Sequence, residues 1–163
     1  MGVTNIVFAG LGGQGVLTAS DIAAEAAFRA GHDVKKAEVH GMSQRGGSVT
    51  SDVRFGEQVS SPMVPPGEAH FLIVLDETQV GPARHHLRED GVVLTATAID
   101  PKALPTPKAL NVAMVGMLSA FTSIPETAWL EAVRAKLPER LHEANMQAFA
   151  LGRAAGQKEK DHA

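Results

Sequence analysis

A chain of 163 residues and 17.1 kDa is the size of one domain built on one hydrophobic core. With 44% hydrophobic residues against 20% charged, it can bury that core, which excludes a disordered or fibrous chain. Lys and Arg number 15 against 18 Asp and Glu, a net charge of −3, too even a balance for a footprint on nucleic acid or acidic lipid.

Zero cysteines exclude a disulfide framework, a Cys-ligated zinc site, an iron–sulfur cluster and a thiol nucleophile in this chain, so any such centre belongs to a partner. Six Phe, one Trp and no Tyr leave few platforms for stacking bases. The start, Met1 to Ala9, has no basic n-region, and no apolar run approaches ~20 residues. The expectation is a cytoplasmic, soluble protein with neither nucleic acid nor membrane as partner.

In chain order, Asn5–Ala9 is a continuous apolar run, as in a strand buried on both faces of a parallel sheet. Gly15 to Ala30 is helical, with Val16, Ala19, Ala23, Ala26 and Ala30 on one side and Asp21, Glu25 and Arg29 on the other. Glu25 and Arg29 are spaced as a surface ion pair, and Gly31 sits just past the helix end. Asp33–Val39 is a short strand, placed parallel to the first by the right-handed crossover rule. Ser48–Phe55 alternates apolar and polar, and Gly56-Glu57 before Gln58-Val59-Ser60 predicts a tight hairpin.

Pro62, Pro65, Pro66 and Gly67 break the pattern into a loop. Phe71–Leu75 is the most apolar run and reads as a central strand. A polar helix carrying His85 and His86 leads to a further strand, Gly91–Thr95. The prolines between Asp100 and Pro107 make a linker. Asn111–Phe121 reads as a helix, and Ser123-Ile-Pro-Glu126 as a capping box for the next, whose Trp129, Leu130, Val133 and Leu137 share a face. Pro138 ends it, and a last helix aligns Leu141, Ala144, Ala148 and Leu151. The expected fold is α/β and Rossmann-like, a mostly parallel sheet flanked by helices with an inserted β-hairpin. A single domain spans 1–155, followed by a flexible tail at 156–163.

Gly10-Leu-Gly-Gly-Gln-Gly15 satisfies G-x-G-x-x-G where a buried strand turns into a helix. Glycines there allow a tight turn, and the free amides of a helix start favour phosphate. Three readings are open: a packing turn with no ligand, a phosphate or cofactor-edge contact, and a dinucleotide site with Glu38, about 20 residues on, at the ribose. Glu38-Val-His-Gly-Met-Ser-Gln-Arg-Gly-Gly47 is a loop dense in donors, suited to an anion or equally to a charged surface turn. His40 reads first as a hydrogen-bonding or packing group and second as a general base. Asp76 and Glu77, after the central strand, read first as a helix cap. Adjacent His85 and His86 cannot both point one way, and no His-x-x-x-His occurs, so no metal is expected. The methionines read as filler, and without G-x-S-x-G a serine hydrolase has no support.

Gly12-Gly-Gln-Gly15 and Glu38-Val-His-Gly-Met-Ser-Gln-Arg-Gly-Gly-Ser48, continuing into Val53-Arg-Phe-Gly56 and Ser61-Pro62, resemble the gamma-type subunit of the 2-oxoacid:ferredoxin oxidoreductases. Within that family the chain is most similar to the beta subunits of the indolepyruvate branch. The likeness continues through Leu75-Asp76, Leu87 to Gly91, Asn111-Val-Ala-Met-Val-Gly116 and Glu143-Ala-Asn145 with Ala148-Phe149. It departs from the family at Asp100 to Leu110, where a proline-rich bridge replaces a helical segment.

The resemblance implies oxidative decarboxylation of an aryl 2-oxo acid on thiamine diphosphate, electrons passed through iron–sulfur clusters to ferredoxin, and acyl transfer to coenzyme A. This chain has neither a Gly-Asp-Gly stretch nor a cysteine, so thiamine diphosphate, Mg and the clusters are expected on a larger alpha subunit, and the chain is not expected to be active alone. No catalytic residue is assigned. The cofactor-facing candidates are Gly12, Gly13, Gln14, Gly15, His40, Ser43, Gln44, Arg45, Gly46 and Gly47, with the Arg45 loop directed at the active site or the coenzyme A phosphates. The alternatives are a free-standing NAD-type nucleotide module using Gly10–Gly15 and Glu38, and a structural clamp in which neither loop touches a small molecule.

Overall fold

The computed structural model describes residues 2–40 and 47–162. Five strands, β1 (Thr4–Leu11), β2 (Asp33–His40), β3 (Ser48–Gly56), β4 (Ala69–Val74) and β5 (Leu87–Thr95), form one sheet in the order β2-β3-β1-β4-β5. β4 is parallel to β1 and β5 to β4, whereas β3 is antiparallel to both β1 and β2. Hence β3 alone runs against the other four, and the sheet is mostly parallel, as the sequence predicts.

The inserted hairpin has different arms from those expected. β3 pairs with β2 from Asp33↔Gly56 to His40↔Val49, so β2 and β3 are the arms of the hairpin, and Gln58–Ser60 is not a strand. The Val59 N–H goes to Asp33 Oδ2 at 2.8 Å instead of to a ladder, and Pro62, Pro65 and Pro66 supply no ladder donors. β3 is thereby wedged between β1 and β2, and β2 becomes an edge.

The helices are α1 (Val16–Arg29), α2 (Val80–Ala83), α3 (Leu110–Ser119), α4 (Glu126–Lys136) and α5 (His142–Asp161). All but the short α2 stand on one face of the sheet. There Ile6, Phe8, Ile73, Leu75 and Leu94 pack with Ile22, Ala26, Met114, Trp129 and Phe149 in one core. A fully buried side chain such as Phe8 or Ile73 contributes about 2–3 kcal/mol. On the other face, Val7, Ala9, Leu72 and Val74 pack with Val64 of a loop and with Val80 and Ala83 of α2. Glu25 and Arg29 pair at 2.8 Å on α1, and Gly31 closes that helix at φ 94°.

α3 and α5 cross at backbone contact. A Cβ on Gly152 would lie 1.7 Å from the Ala113 carbonyl oxygen, and one on Gly116 would lie 2.1 Å from that of Phe149. The buried face of α5 therefore runs through Asn145, Ala148, Phe149, Gly152 and Gly156, rotated from the predicted stripe, and Leu141 is exposed. α5 continues to Asp161, with Lys160 Nζ donating to the Ala120 carbonyl at 3.2 Å. Residues 156–161 are thus helical. The capping box does not form: Pro125 is the N-cap of α4, without a side-chain cap. Its extended conformation starts the helix at Glu126, leaving Ser123 two residues too early to cap.

Candidate functional site

The glycine turn leaves the carboxyl end of β1 and is held by interactions that leave few alternatives. The Gln14 N–H donates back to the Leu11 carbonyl at 3.2 Å, and the Leu11 N–H donates to Gln14 Oε1 at 2.7 Å. Gly13 and Gly15 have φ of 89° and 83°, the region that favours glycine. Gly15 is doubly constrained, because a Cβ there would lie 2.4 Å from Asn111 Nδ2. Asn111 is buried at the start of α3 and donates from that nitrogen to the Gly15 carbonyl at 3.3 Å.

Two polar ties lash neighbouring segments to this turn, and a third joins those segments to each other. The Gly12 N–H donates to the Gly47 carbonyl at 2.9 Å, joining the turn to the end of the hairpin connection. Ser48 Oγ donates to Gln79 Oε1 at 2.7 Å, and Gln14 Nε2 donates to Asp76 Oδ2 at 2.8 Å. Asp76 also caps the 3-10 turn Glu77–Gln79, its Oδ1 accepting from the Thr78 N–H at 3.0 Å and the Thr78 hydroxyl at 2.5 Å. Hydrogen bonds from the Thr78 hydroxyl, then from Gln14 and from the Thr78 N–H, hold the Asp76 carboxyl below the usual carboxylate range.

These ties leave a cleft of about 400 Å³ lined by Leu11, Gly12, Gly13, Gly15, Val16, Leu17, Thr18, His40, Gly47, Ser48 and Val49, within the size range of small-ligand sites. Its wall is mostly backbone and apolar carbon, with polar side chains from Thr18, His40 and Ser48. The Gly13 and Gly15 amides have no backbone acceptor among the described residues, and α1 opens here with no side-chain cap. This donor set and the dipole of a 14-residue helix suit an anionic oxygen.

Of the residues singled out from sequence, Gly12, Gly13, Gly15, His40 and Gly47 meet in this cleft. Gln14 turns away from it, toward Asp76. Ser43, Gln44, Arg45 and Gly46 lie outside the described residues. Sequence reasoning missed Thr18, Ser48 and the buried Asn111. The only signal for Thr18 was its place in the first turn of a helix that opens at a glycine loop.

Glu38 does not serve a dinucleotide. It lies on edge strand β2, level with Ser51 of β3 and Phe8 of β1, so β3 separates it from the turn's strand, roughly 10 Å instead of one strand spacing. Its carboxylate takes Lys36 Nζ at 3.1 Å. The NAD-module reading falls on this topology.

A larger hollow, about 790 Å³, lies at the opposite end of the sheet among Asn5, Arg54, Glu68, His70, Arg88, Glu89 and Asp90. It holds none of the candidate residues, and its polar groups largely satisfy one another. The glycine cleft is the better candidate despite its smaller volume. Among the described residues no group of three His, Cys, Asp or Glu could hold a metal ion.

Residues 5–106 and 95–155 match the family model described as pyruvate ferredoxin/flavodoxin oxidoreductase. The indolepyruvate oxidoreductase subunit IorB of Thermococcus kodakarensis is 34% identical, over 91% of this chain and 93% of its own. The gamma subunit of a keto/oxoacid ferredoxin oxidoreductase from Geobacter sulfurreducens superposes with a TM-score of 0.81 at 25% identity, covering 95% of this chain and 99% of that one. Pyruvate oxidoreductase subunit PORC from Thermotoga maritima superposes at 0.73 with 27% identity, over 94% and 97%.

Proposed function

Since the chain belongs to the pyruvate ferredoxin/flavodoxin oxidoreductase family, we propose that it serves a 2-oxoacid:ferredoxin oxidoreductase as the subunit that carries no redox cofactor. Its glycine cleft holds a phosphate of coenzyme A. An aryl 2-oxo acid such as indolepyruvate is the substrate class favoured by the relative of highest identity named above. The chain has no cysteine to hold an iron–sulfur cluster, and among its described residues no group of three His, Cys, Asp or Glu could hold a metal ion. Both belong to a larger alpha subunit, which passes electrons to ferredoxin.

The observation that carries this reading is the Gly12–Gly47 tie. It brings Gly12 and Gly47 together on one cleft at the start of a long helix, where the Gly13 and Gly15 amides have no backbone acceptor among the described residues. The chain's own part in the reaction is then to bind and orient the acyl acceptor, with no proton transfer assigned to it. Arg45, five residues after His40 in the chain, would supply the counter-charge.

The test is co-expression with the alpha subunit and anaerobic purification. A complex with cluster absorbance and bound thiamine diphosphate should reduce ferredoxin with indolepyruvate and coenzyme A. In that complex Thr18→Phe, which fills the cleft, should raise KM for coenzyme A at least tenfold and leave KM for the 2-oxo acid unchanged. An unchanged coenzyme A KM removes the cleft assignment.

A further inference from the structure

We infer that Asp76 is a positioning residue for the glycine turn: it dictates which way the Gln14 carboxamide faces, and through Gln14 it holds the cleft amides in their binding arrangement. This deepens, and rests on, the coenzyme A reading above.

The argument is one of donors and acceptors. The Gln14 side chain stands between the Leu11 N–H, which can only donate, and the Asp76 carboxylate, which can only accept. Oε1 must therefore face Leu11 and Nε2 must face Asp76. The flipped amide would set donor against donor and acceptor against acceptor. Asp76 is itself fixed from the far side, since Oδ1 takes both the N–H and the hydroxyl of Thr78 while Oδ2 takes Gln14. The chain of contacts Thr78, Asp76, Gln14, Leu11 runs from the end of β4 to the end of β1. With the Leu11 and Gln14 amides engaged inside the turn and the Gly12 amide on the Gly47 carbonyl, the Gly13 and Gly15 amides on the cleft wall remain for a ligand. Gln14 is a lock and not a ligand.

A carboxylate is required at 76 because both of its oxygens must accept. Asn at that position presents an NH₂ either to Gln14 or to Thr78, and one side of the chain breaks. The same logic predicts a swap: in Gln14→Glu with Asp76→Asn, the carboxylate sits at 14, accepts from Leu11 with one oxygen and from the Asn amide with the other, and leaves the Asn oxygen for Thr78.

The experiment uses the alpha-subunit complex and reads two quantities, the deuterium exchange of the 8–18 segment and the coenzyme A KM and kcat. Asp76→Asn should speed exchange at Leu11 and raise the coenzyme A KM roughly tenfold at unchanged kcat, the scale of one lost hydrogen bond to a charged group. Gln14→Glu alone, which sets two carboxylates together, should do the same. The double variant should return both quantities to within about threefold of the parent, a coupling that independent structural damage does not produce. Thr78→Val, which keeps the carboxylate and removes one donor, should act in the same direction more weakly. Unchanged exchange in Asp76→Asn, or a double variant no better than the singles, overturns the inference. If Thr18→Phe raises the KM and Asp76→Asn does not, positioning alone fails. If neither moves it, the coenzyme A assignment fails, and the ligand part of the inference goes with it.

Discussion

The two ends of the sheet carry the two main hollows, and they are built from different materials. At the amino ends of β1 and β4 the hollow is walled by charged side chains. Arg54 donates to Asn5 Oδ1 at 2.9 Å and to the Ser61 carbonyl at 2.8 Å, Arg88 meets Asp90 at 2.5 Å, and His70 Nδ1 accepts the Asn5 N–H at 3.0 Å. At the carboxyl ends the cleft is walled mostly by main chain and apolar carbon, with Thr18, His40 and Ser48 its polar side chains, while Gln14 turns away to brace against Asp76. Side-chain charges rotate to find one another, so the larger hollow is largely self-satisfied. Helix-start amides cannot rotate, and when their own turn does not use them they are left for a ligand.

The hardest way to break this contrast is Gly15→Ala. With φ at 83° and a Cβ 2.4 Å from Asn111 Nδ2, the substitution should destabilise the chain by about 3 kcal/mol and abolish turnover of the complex, read by chemical denaturation and ferredoxin reduction. A sharper contrast pairs one variant from each end. Arg54→Ala should remove about 1 kcal/mol, chiefly by leaving Oδ1 of the buried Asn5 without its donor, while the coenzyme A KM stays put. Thr18→Phe should do the reverse. If Arg54→Ala alters the coenzyme A KM, the two ends are not separate in function.

Smaller effects follow from titration. Burial lowers the His70 and His86 pKa from the ordinary 6.5, helped by Arg88 beside His70 and by His85 beside His86. Protonation is then less favourable in the folded chain. The stability these imidazoles confer is complete above 6.5 and is lost as pH falls through their depressed values. Tm should decline between pH 7 and 5, and less steeply in His86→Gln. Burial raises the Asp52 pKa above 3.8 although it accepts the Val64 N–H at 2.9 Å. Its contribution is greatest below 3.8 and is lost as pH rises through the raised value. Asp52→Asn keeps the acceptor and should raise Tm slightly at pH 7, a gain that vanishes in acid. The least of these expectations is that none of the three titrating groups changes the coenzyme A KM, since all lie away from the cleft.

Much of this was legible in the residues. The apolar run after Asn5, the alanine face of α1 and the apolar stretch from Phe71 are local patterns whose period alone dictates strand or helix. The glycine turn was legible too, because only glycine tolerates its dihedrals. The motif stretches that carry the family resemblance brought the two loops together in argument before any geometry did. What misled was order in space. The segment Gln58–Ser60 has strand composition, yet the partner of β3 is β2, which offers an eight-residue ladder from Asp33 to His40, while the Val59 N–H is taken by Asp33 Oδ2. Glu38 has the spacing of a ribose ligand, and the wedged β3 removes it from that task.

By itself, then, the sequence determined the elements, the glycine turn and the absence of any thiolate chemistry in this chain, all properties of residues and their near neighbours. Only the tertiary structure decided that β3 separates β1 from β2, that the long helices crowd one face, and that Gln14 belongs to Asp76 and not to a ligand. Each of those depends on contacts between residues far apart in the chain, such as Gln14 with Asp76 and Gly15 with Asn111. No local period encodes such a contact, because the free energy that selects it comes from burying and pairing groups that meet only after the chain has folded.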